Sequence, residues 1–401
     1  MLQKPGSWRS RGGCKQVMAE VVHCDVIVVG AGAAGAAAAY DLAAAGLSVR
    51  LLDRRRFPRQ KACAGGLTIK ALRLFRFPVA PVIRFVARDL KVSYDHALQK
   101  TFSCKHPVAA LTVRMELDEY CLDQAIAKGA QFTLVSNLAK IVESDSSVRL
   151  ETSDGEIFEA RYLVGADGAN SRVRKLMGIG KPASAFAIEG LVPLSRSRCT
   201  PAMQLDLGVA AGGYGWIFPK GDHLNVGLYS CKAGVTFTKS DLENYAQRAV
   251  GNGDATDIIG SPLGVGAEAF DQPWQRIFLA GDAAGNVERL LGEGIHNALK
   301  TGQAAASAII CSEQDGVSAR SLFNEALRAV RKDLATCSRA ARLFHDNAAI
   351  GFRALRTRPA RSTFMRGYAA GKTVRDIVRT FPLSPMYAID PVTDIVAWEG
   401  R

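Results

Sequence analysis

A strand–turn–helix–strand unit near the start constrains this chain more than any other feature. Cys24 to Gly30, CDVIVVG, is a short β-branched run of the kind that forms a buried strand. The alanine-rich AGAAGAAAAYDLAAAG follows as a helix with Gly46 as its stop. LSVRLLD supplies a second strand that closes at Asp53. The turn into the helix reads Gly30-x-Gly32-x-x-Gly35. In such a turn the first glycine makes the bend, the second admits a pyrophosphate, and the third lets helix pack on strand. The pyrophosphate rests on the helix N-terminus. Asp53 stands where an acceptor for a ribose hydroxyl belongs.

The expected fold is therefore α/β: a Rossmann-like dinucleotide-binding domain, an antiparallel β-sheet substrate domain and a helical C-terminal tail. LTVRMELDEYCLDQAIAKGA reads as strand entry and then a helix stopped by Gly129. VRLETSDGEIFEARYLVGADG reads as a hairpin through Asp154-Gly155 and a buried strand ending at Gly165. YGWIFPKGDHLNVGLYS alternates apolar and polar residues around a turn at 220–222, the pattern of a half-buried antiparallel pair. RIFLAGDAAG is a buried strand, and GEGIHNALKTGQAAASAII a helix. These elements divide the chain into a disordered extension at 1–23, a discontinuous dinucleotide-binding domain at 24–182 and 274–320, a sheet domain at 183–273 and a helical, arginine-rich region at 321–401. Met18 is a second possible start, which would make residues 1–17 dispensable.

Composition narrows the partners. The net charge of +13 favours an anion, such as a diphosphate, a phospholipid headgroup or a nucleic acid. No nucleic-acid-binding motif or dense basic–aromatic cluster is present, so a lipid headgroup or anionic membrane surface is the better expectation. Nine scattered cysteines with no C-x-x-C pair argue for a reducing compartment and against structural zinc or an iron–sulfur cluster. No apolar run has transmembrane length, and the basic N-terminus has no apolar stretch behind it. The expected setting is the cytoplasm, with peripheral membrane contact.

Further signals follow the Gly30-x-Gly32-x-x-Gly35 turn in order: KACAGG at Lys61 to Gly66, GADG at 165–168, and GDAAGNVERLLGEGI at Gly281 to Ile295. Together with GYGWIFPK at Gly213 to Lys220, they make the chain resemble the geranylgeranyl reductase family of FAD-dependent oxidoreductases, within the aromatic-hydroxylase-like flavoproteins. The similarity spans about residues 24 to 310. It implies FAD as cofactor. Gly30, Gly32 and Gly35 would face its pyrophosphate and Asp53 its adenosine ribose. Cys63, Ala64 and Gly66 would lie near the isoalloxazine, and Arg114 would contact the cofactor. The backbone at Leu138 would touch the adenine side, and Asp282 the ribityl or pyrophosphate region. The amides of Gly294 and Ile295 would face the flavin O2 edge, where charge collects on reduction. The family commonly has glycine where this chain has Ala64, a departure that bears on flavin movement or substrate choice.

Each candidate has a plainer alternative. Cys63, the catalytic candidate, either gates the flavin or donates a proton, or is a small residue that packs. Tyr214, Trp216 and Phe218 share one face of a strand and line either a substrate tunnel or a core. Asp167 fixes a turn near the cofactor. His296 is a second proton-donor candidate or a locally satisfied helix-start histidine. Arg59 and Lys61 are near enough to the site to meet an anion, or read as solvated surface. With one dinucleotide site, filled by FAD, the electron donor must bind transiently, as NAD(P)H or a reduced carrier protein. The resemblance implies reduction of isoprenoid double bonds. The alternatives are a flavin monooxygenase or halogenase on the same scaffold, and a non-catalytic flavoprotein that binds lipid or senses redox state. No metal is expected.

Overall fold

The computed structural model describes residues 20–269 and 271–379. The expected extension therefore lies largely outside the described residues, as does the end of the C-terminal region. The first strand runs Val21–Val29, three residues longer at its start than its β-branched core implies. It pairs in parallel with Val49–Asp53 on one side and Ile157–Gly165 on the other. Gln131–Leu134 extends this sheet beyond Val49–Asp53, and Ile277–Leu279 adds to Ile157–Gly165, both in parallel. The hairpin Leu138–Glu143 with Val148–Thr152 completes it in antiparallel sense.

Helix Ala33–Ala44 covers this sheet, and its small side chains let other elements come close. A Cβ on Gly302 of helix Ile295–Asp315 would fall 2.1 Å from the Ala34 carbonyl, so the two helices meet at backbone distance.

A second, seven-stranded sheet forms the other layer. Gly213–Pro219 and His223–Ser230 make its central hairpin, flanked by Ala183–Pro193 and Thr256–Val265 on one side and Met203–Leu207 on the other. The structure adds to the sequence reading in three ways. First, Asp89–Tyr94 and Leu98–Ser103, from inside the expected 24–182 unit, complete this sheet. Second, the sheet is mixed, because Met203–Leu207 pairs in parallel with Asp89–Tyr94. Third, Gly213–Pro219 is buried on both faces. The amphipathic helix Lys239–Val250, with its Thr238–Asp241 capping box, covers the side away from Tyr214, Trp216 and Phe218. Asn225, which made the pattern look half-exposed, is instead satisfied internally by the Trp216 indole at 2.7 Å.

A small third sheet, Gly66–Thr68, Ile83–Ala87 and Ala109–Thr112, joins the two layers. The tail forms the expected helices, Ala319–Asp346, Ala348–Arg356, Arg358–Ala369 and Val374–Arg379.

Candidate active site

The glycine turn sits at the end of strand Val21–Val29. Gly30 has φ +97°, and a Cβ there would stand 2.4 Å from the Ala166 carbonyl. A Cβ on Gly35 would be 1.7 Å from the Gly30 carbonyl. The protein's own packing thus demands both glycines. Gly32 differs: the nearest atom to its missing Cβ is an Arg59 nitrogen at 3.4 Å, and it lines a cavity. Its bare backbone therefore leaves room for a ligand at the helix N-terminus. Asp53 accepts from the Ala31 amide at 2.9 Å with one oxygen and from the Arg55 amide at 2.9 Å with the other, which fixes its carboxylate beside the turn. Leu138 also lines the cavity, but its carbonyl is taken by Arg172 at 2.8 Å. Asp167 holds the Ser171 hydroxyl and the Arg172 and Val173 amides, the turn-fixing role expected of it.

Farther along the groove, Asp282 lines the cavity; its carbonyl accepts from the Gly285 amide at 3.0 Å, but its carboxylate has no hydrogen-bond partner among the described residues. Beside it, Gly294 and Ile295 begin the 21-residue helix Ile295–Asp315, whose first amides have no side-chain cap. A loop of buried acids shapes this end. Glu288 accepts from the amides of Leu290, Leu291 and Glu293 at 2.7, 2.7 and 3.0 Å. Glu293 pairs with Lys70 at 2.7 Å and accepts from the Thr68 hydroxyl at 2.5 Å. Burial alone would raise the Glu293 pKa, but Lys70 outweighs it and the carboxyl is held below its usual range.

The Cys63–Gly66 segment crosses the middle of the cavity. A Cβ on Gly65, φ +62°, would lie 1.9 Å from the Thr112 carbonyl, and one on Gly66 would lie 3.1 Å from the Phe218 ring. The glycine pair is thus required by strand and aromatic packing in the protein itself. The partly exposed Cys63 sulfur accepts from the Gly65 amide at 3.4 Å and faces the Arg114 guanidinium. Arg114 is buried and held by a bidentate pair to Asp118 at 3.0 and 2.9 Å. Lys220, 3% exposed, reaches back across the chain to donate to the carbonyls of Ala64 at 2.6 Å and Thr112 at 2.8 Å. Burial lowers its pKa from 10.5 to about 7. Nearby Glu189 is buried, and burial raises its pKa.

Gly30, Gly32, Asp53, the Cys63–Gly66 segment, Arg114, Asp282, Glu293 and Gly294–Ile295 open on one cavity of about 540 Å³, while Lys70, Lys220, Glu189 and Glu288 stand behind its wall. Its far half is apolar. Tyr214, Trp216 and Phe218 line one wall with Leu205, and Phe364 and Met365 of helix Arg358–Ala369 face them. The Tyr214 hydroxyl is spent on the Leu291 carbonyl, so the tyrosine presents its ring.

The residues 23–196 match the family model described as the FAD binding domain. An uncharacterized protein of Methanosarcina barkeri is 31% identical over 82% of this chain and 85% of its own length. The chloroplastic geranylgeranyl diphosphate reductase of Oryza sativa is 30% identical over 73% of this chain and 67% of its own. Among solved structures, a geranylgeranyl bacteriochlorophyll reductase-like protein of Thermoplasma acidophilum superposes with TM-score 0.68 at 17% identity, covering 94% of this chain and 96% of that one. The flavin-dependent brominase Bmp2 superposes at 0.65 and 17% identity over 90% and 98%, which shows a shared fold. The chain belongs to the geranylgeranyl reductase family. It is an FAD-dependent oxidoreductase.

The site of this reductase fits its cofactor. The open backbone at Gly32, the unpartnered Asp282 carboxylate and the free amides at Gly294–Ile295 lie along one groove, as a long dinucleotide requires. Every residue singled out from the sequence as cofactor- or substrate-facing lines the cavity, except Gly35, which packs helix on strand. Residues weighed two ways in the sequence are placed by the structure. His296 is not on the cavity wall; it is buried with its ring 3.0 Å from the Asn297 amide oxygen, the locally satisfied alternative, and burial with Lys70 nearby lowers its pKa to about 4. Arg59 and Lys61 line the cavity mouth, and Arg59 is held by Asp118 at 3.4 Å and by the Phe57 ring. Lys220, Glu293 and the helix Arg358–Ala369 went unrecognised as site components. Lys220 and Glu293 lie inside the GYGWIFPK and GEGI stretches, but their roles do not show there, since each of the three acts on a segment remote in the chain. Among the described residues no cluster suits a metal, and no helix is long and apolar enough to cross a membrane.

Proposed function

We propose that this reductase saturates carbon–carbon double bonds of an isoprenoid chain. The observation that carries the reading is the continuity of the apolar half of the cavity with the cofactor groove. A long hydrocarbon can lie against Tyr214, Trp216 and Phe218 while one of its double bonds reaches the Cys63–Gly66 segment. When bound, FAD supplies the hydride. The chain's own residues orient the alkene between the aromatic wall and the roof of Phe364 and Met365, and exclude water. The amides of Gly294 and Ile295, at the positive end of a long helix, hold negative charge that develops beside them. The Cys63 thiol donates the proton that completes the addition, and the Arg114 guanidinium faces the sulfur left behind. Lys220 holds this segment by its carbonyls. On this reading residues 24–182 and 274–320 carry the cofactor, except for strands Asp89–Tyr94 and Leu98–Ser103, which join 183–273 in the second sheet that carries the substrate wall. Electrons arrive from transiently bound NAD(P)H or a reduced carrier protein.

The test is a single turnover without oxygen. Protein reduced with dithionite is mixed with geranylgeranyl diphosphate, and flavin absorbance and product mass are followed together. The expected product gains hydrogen in pairs as the flavin reoxidises. In a parallel mixing with air, reoxidation by oxygen alone with hydroxylated or halogenated product would establish a monooxygenase or halogenase instead. Flavin that no isoprenoid reoxidises would mark a lipid-binding or redox-sensing protein.

A further inference from the structure

The C-terminal helices have two unlike faces. Helix Arg358–Ala369 turns Phe364, Met365 and Tyr368 into the cavity. Its Arg358, Pro359 and Arg366 are exposed on the other side. The preceding helices continue that outer surface. Leu343 and Ile350 are 63% and 60% exposed, more than any other large apolar side chain among the described residues. They flank a tight junction, because a Cβ on Gly351 would stand 2.6 Å from the Phe344 ring. The two exposed side chains thus lie on either side of the junction between two packed helices, Leu343 near the end of Ala319–Asp346 and Ile350 near the start of Ala348–Arg356.

The charge around them has one sign. Residues 339–366 contain seven arginines and one acid, Asp346, a net +6 of the chain's +13. Arg342, Arg353, Arg356, Arg358 and Arg366 are exposed and have no carboxylate partner among the described residues. A second cavity of about 370 Å³ opens beside the same helix end, with Lys232, Arg289 and Arg342 on its wall. Glu268 and Asp346 line it too, but Glu268 is engaged by Ser338 and by Arg289 at 3.9 Å. Exposed aliphatic side chains ringed by unpaired arginines match an anionic bilayer: the aliphatics enter the acyl boundary and the arginines meet phosphates.

We infer that the face carrying Leu343, Ile350, Arg353, Arg356 and Arg358 docks on an anionic phospholipid membrane, with the cavity roof directly behind it. Water-insoluble isoprenoid would then pass from bilayer to cavity beneath helix Arg358–Ala369. This delivery step rests on the isoprenoid reading above; the docking itself does not.

The test is flotation of the full-length, FAD-loaded protein with vesicles, which reads binding without turnover. Phosphatidylcholine vesicles are compared with vesicles containing about 30 mol% phosphatidylglycerol. Protein should float with the anionic vesicles only and be released at about 0.5 M salt, where charges are screened beyond a few ångströms. Arg353→Glu with Arg356→Glu should weaken partitioning by at least about tenfold, since each basic residue near such a surface adds severalfold. Leu343→Ser with Ile350→Ser should also weaken it. Both double variants should keep the flavin spectrum and the turnover of detergent-dispersed geranylgeranyl diphosphate. Equal binding to both vesicle types, no binding, or unchanged binding by the variants overturns the inference. So does a wild-type dimer, seen by light scattering, that Leu343→Ser with Ile350→Ser converts to monomer, because a second copy would then cover this face. Intact docking by a protein that reduces no isoprenoid would refute the proposed reaction and leave the docking standing.

Discussion

Replacing Lys220 with methionine should change stability in a way that depends on pH. The ammonium is buried and its pKa falls from 10.5 to about 7 because burial disfavours the charged form. The sign follows from proton binding. Below about pH 7 both folded and unfolded chains hold the proton, and the folded state bears the full cost of burying the charge. Between about 7 and 10.5 the folded amine is neutral while the unfolded one is still charged, so stability rises with pH at about 1.4 kcal/mol per pH unit. Above that window both are neutral and the penalty is gone; its full size is about 5 kcal/mol. A neutral amine still has two N–H groups, enough for the carbonyls of Ala64 and Thr112. Lys220→Met removes the charge penalty but strips both carbonyls of their donor, at about 1–3 kcal/mol each. Near pH 7 the two effects nearly offset. By about pH 9.5 the variant should be less stable than wild type by about 3 kcal/mol more than it is at about pH 7. Urea denaturation of both FAD-loaded proteins across this range measures the difference, and titrating groups common to both drop out of it. A difference that does not vary with pH would refute the reasoning, since Lys220 would then stay charged throughout.

Other substitutions separate binding from folding and chemistry. Asp282→Ala should reduce FAD affinity by about 1–3 kcal/mol with little loss of apoprotein stability, because its carboxylate has no described protein partner to lose; flavin fluorescence titration beside apoprotein melting checks this. Cys63→Ser should keep FAD bound and slow single-turnover reoxidation by isoprenoid, since shape is nearly kept while acidity and polarizability change; wild-type reoxidation rates in the variant would remove the thiol from the reaction. Glu293→Gln should destabilise by about 3–5 kcal/mol by leaving Lys70 buried without its counter-charge. The same pair predicts acid sensitivity: the Glu293 pKa is lowered in the folded state, so its stabilisation is present above the ordinary glutamate value of 4.5 and is lost as pH falls through the lower folded value. Melting temperatures of wild type and variant that differ at neutral pH and converge only below pH 4.5 would support the assignment.

The sequence alone determined whatever depends on neighbours along the chain. Gly30, Gly32 and Gly35 lie within one turn, so the backbone demand that each meets is visible in their spacing. Tyr214, Trp216 and Phe218 alternate on a strand, so their shared face follows from its period of two. The same locality explains the errors. The hairpin read as half-buried because a strand pattern cannot reveal that Trp216 will satisfy Asn225 inside the protein. Arg59 looked like surface because nothing nearby in the sequence announces Asp118. Only the tertiary structure decided which remote groups complete the site. Lys220 meets Ala64 from 156 residues away, Glu293 meets Thr68 from 225 away, and the roof of the apolar chamber comes from a helix beyond residue 357. Those meetings are fixed by how two sheets and a helical tail pack. Burial itself, which lowers the Lys220 pKa and makes Glu293 depend on Lys70, is a property of that packing and not of any residue.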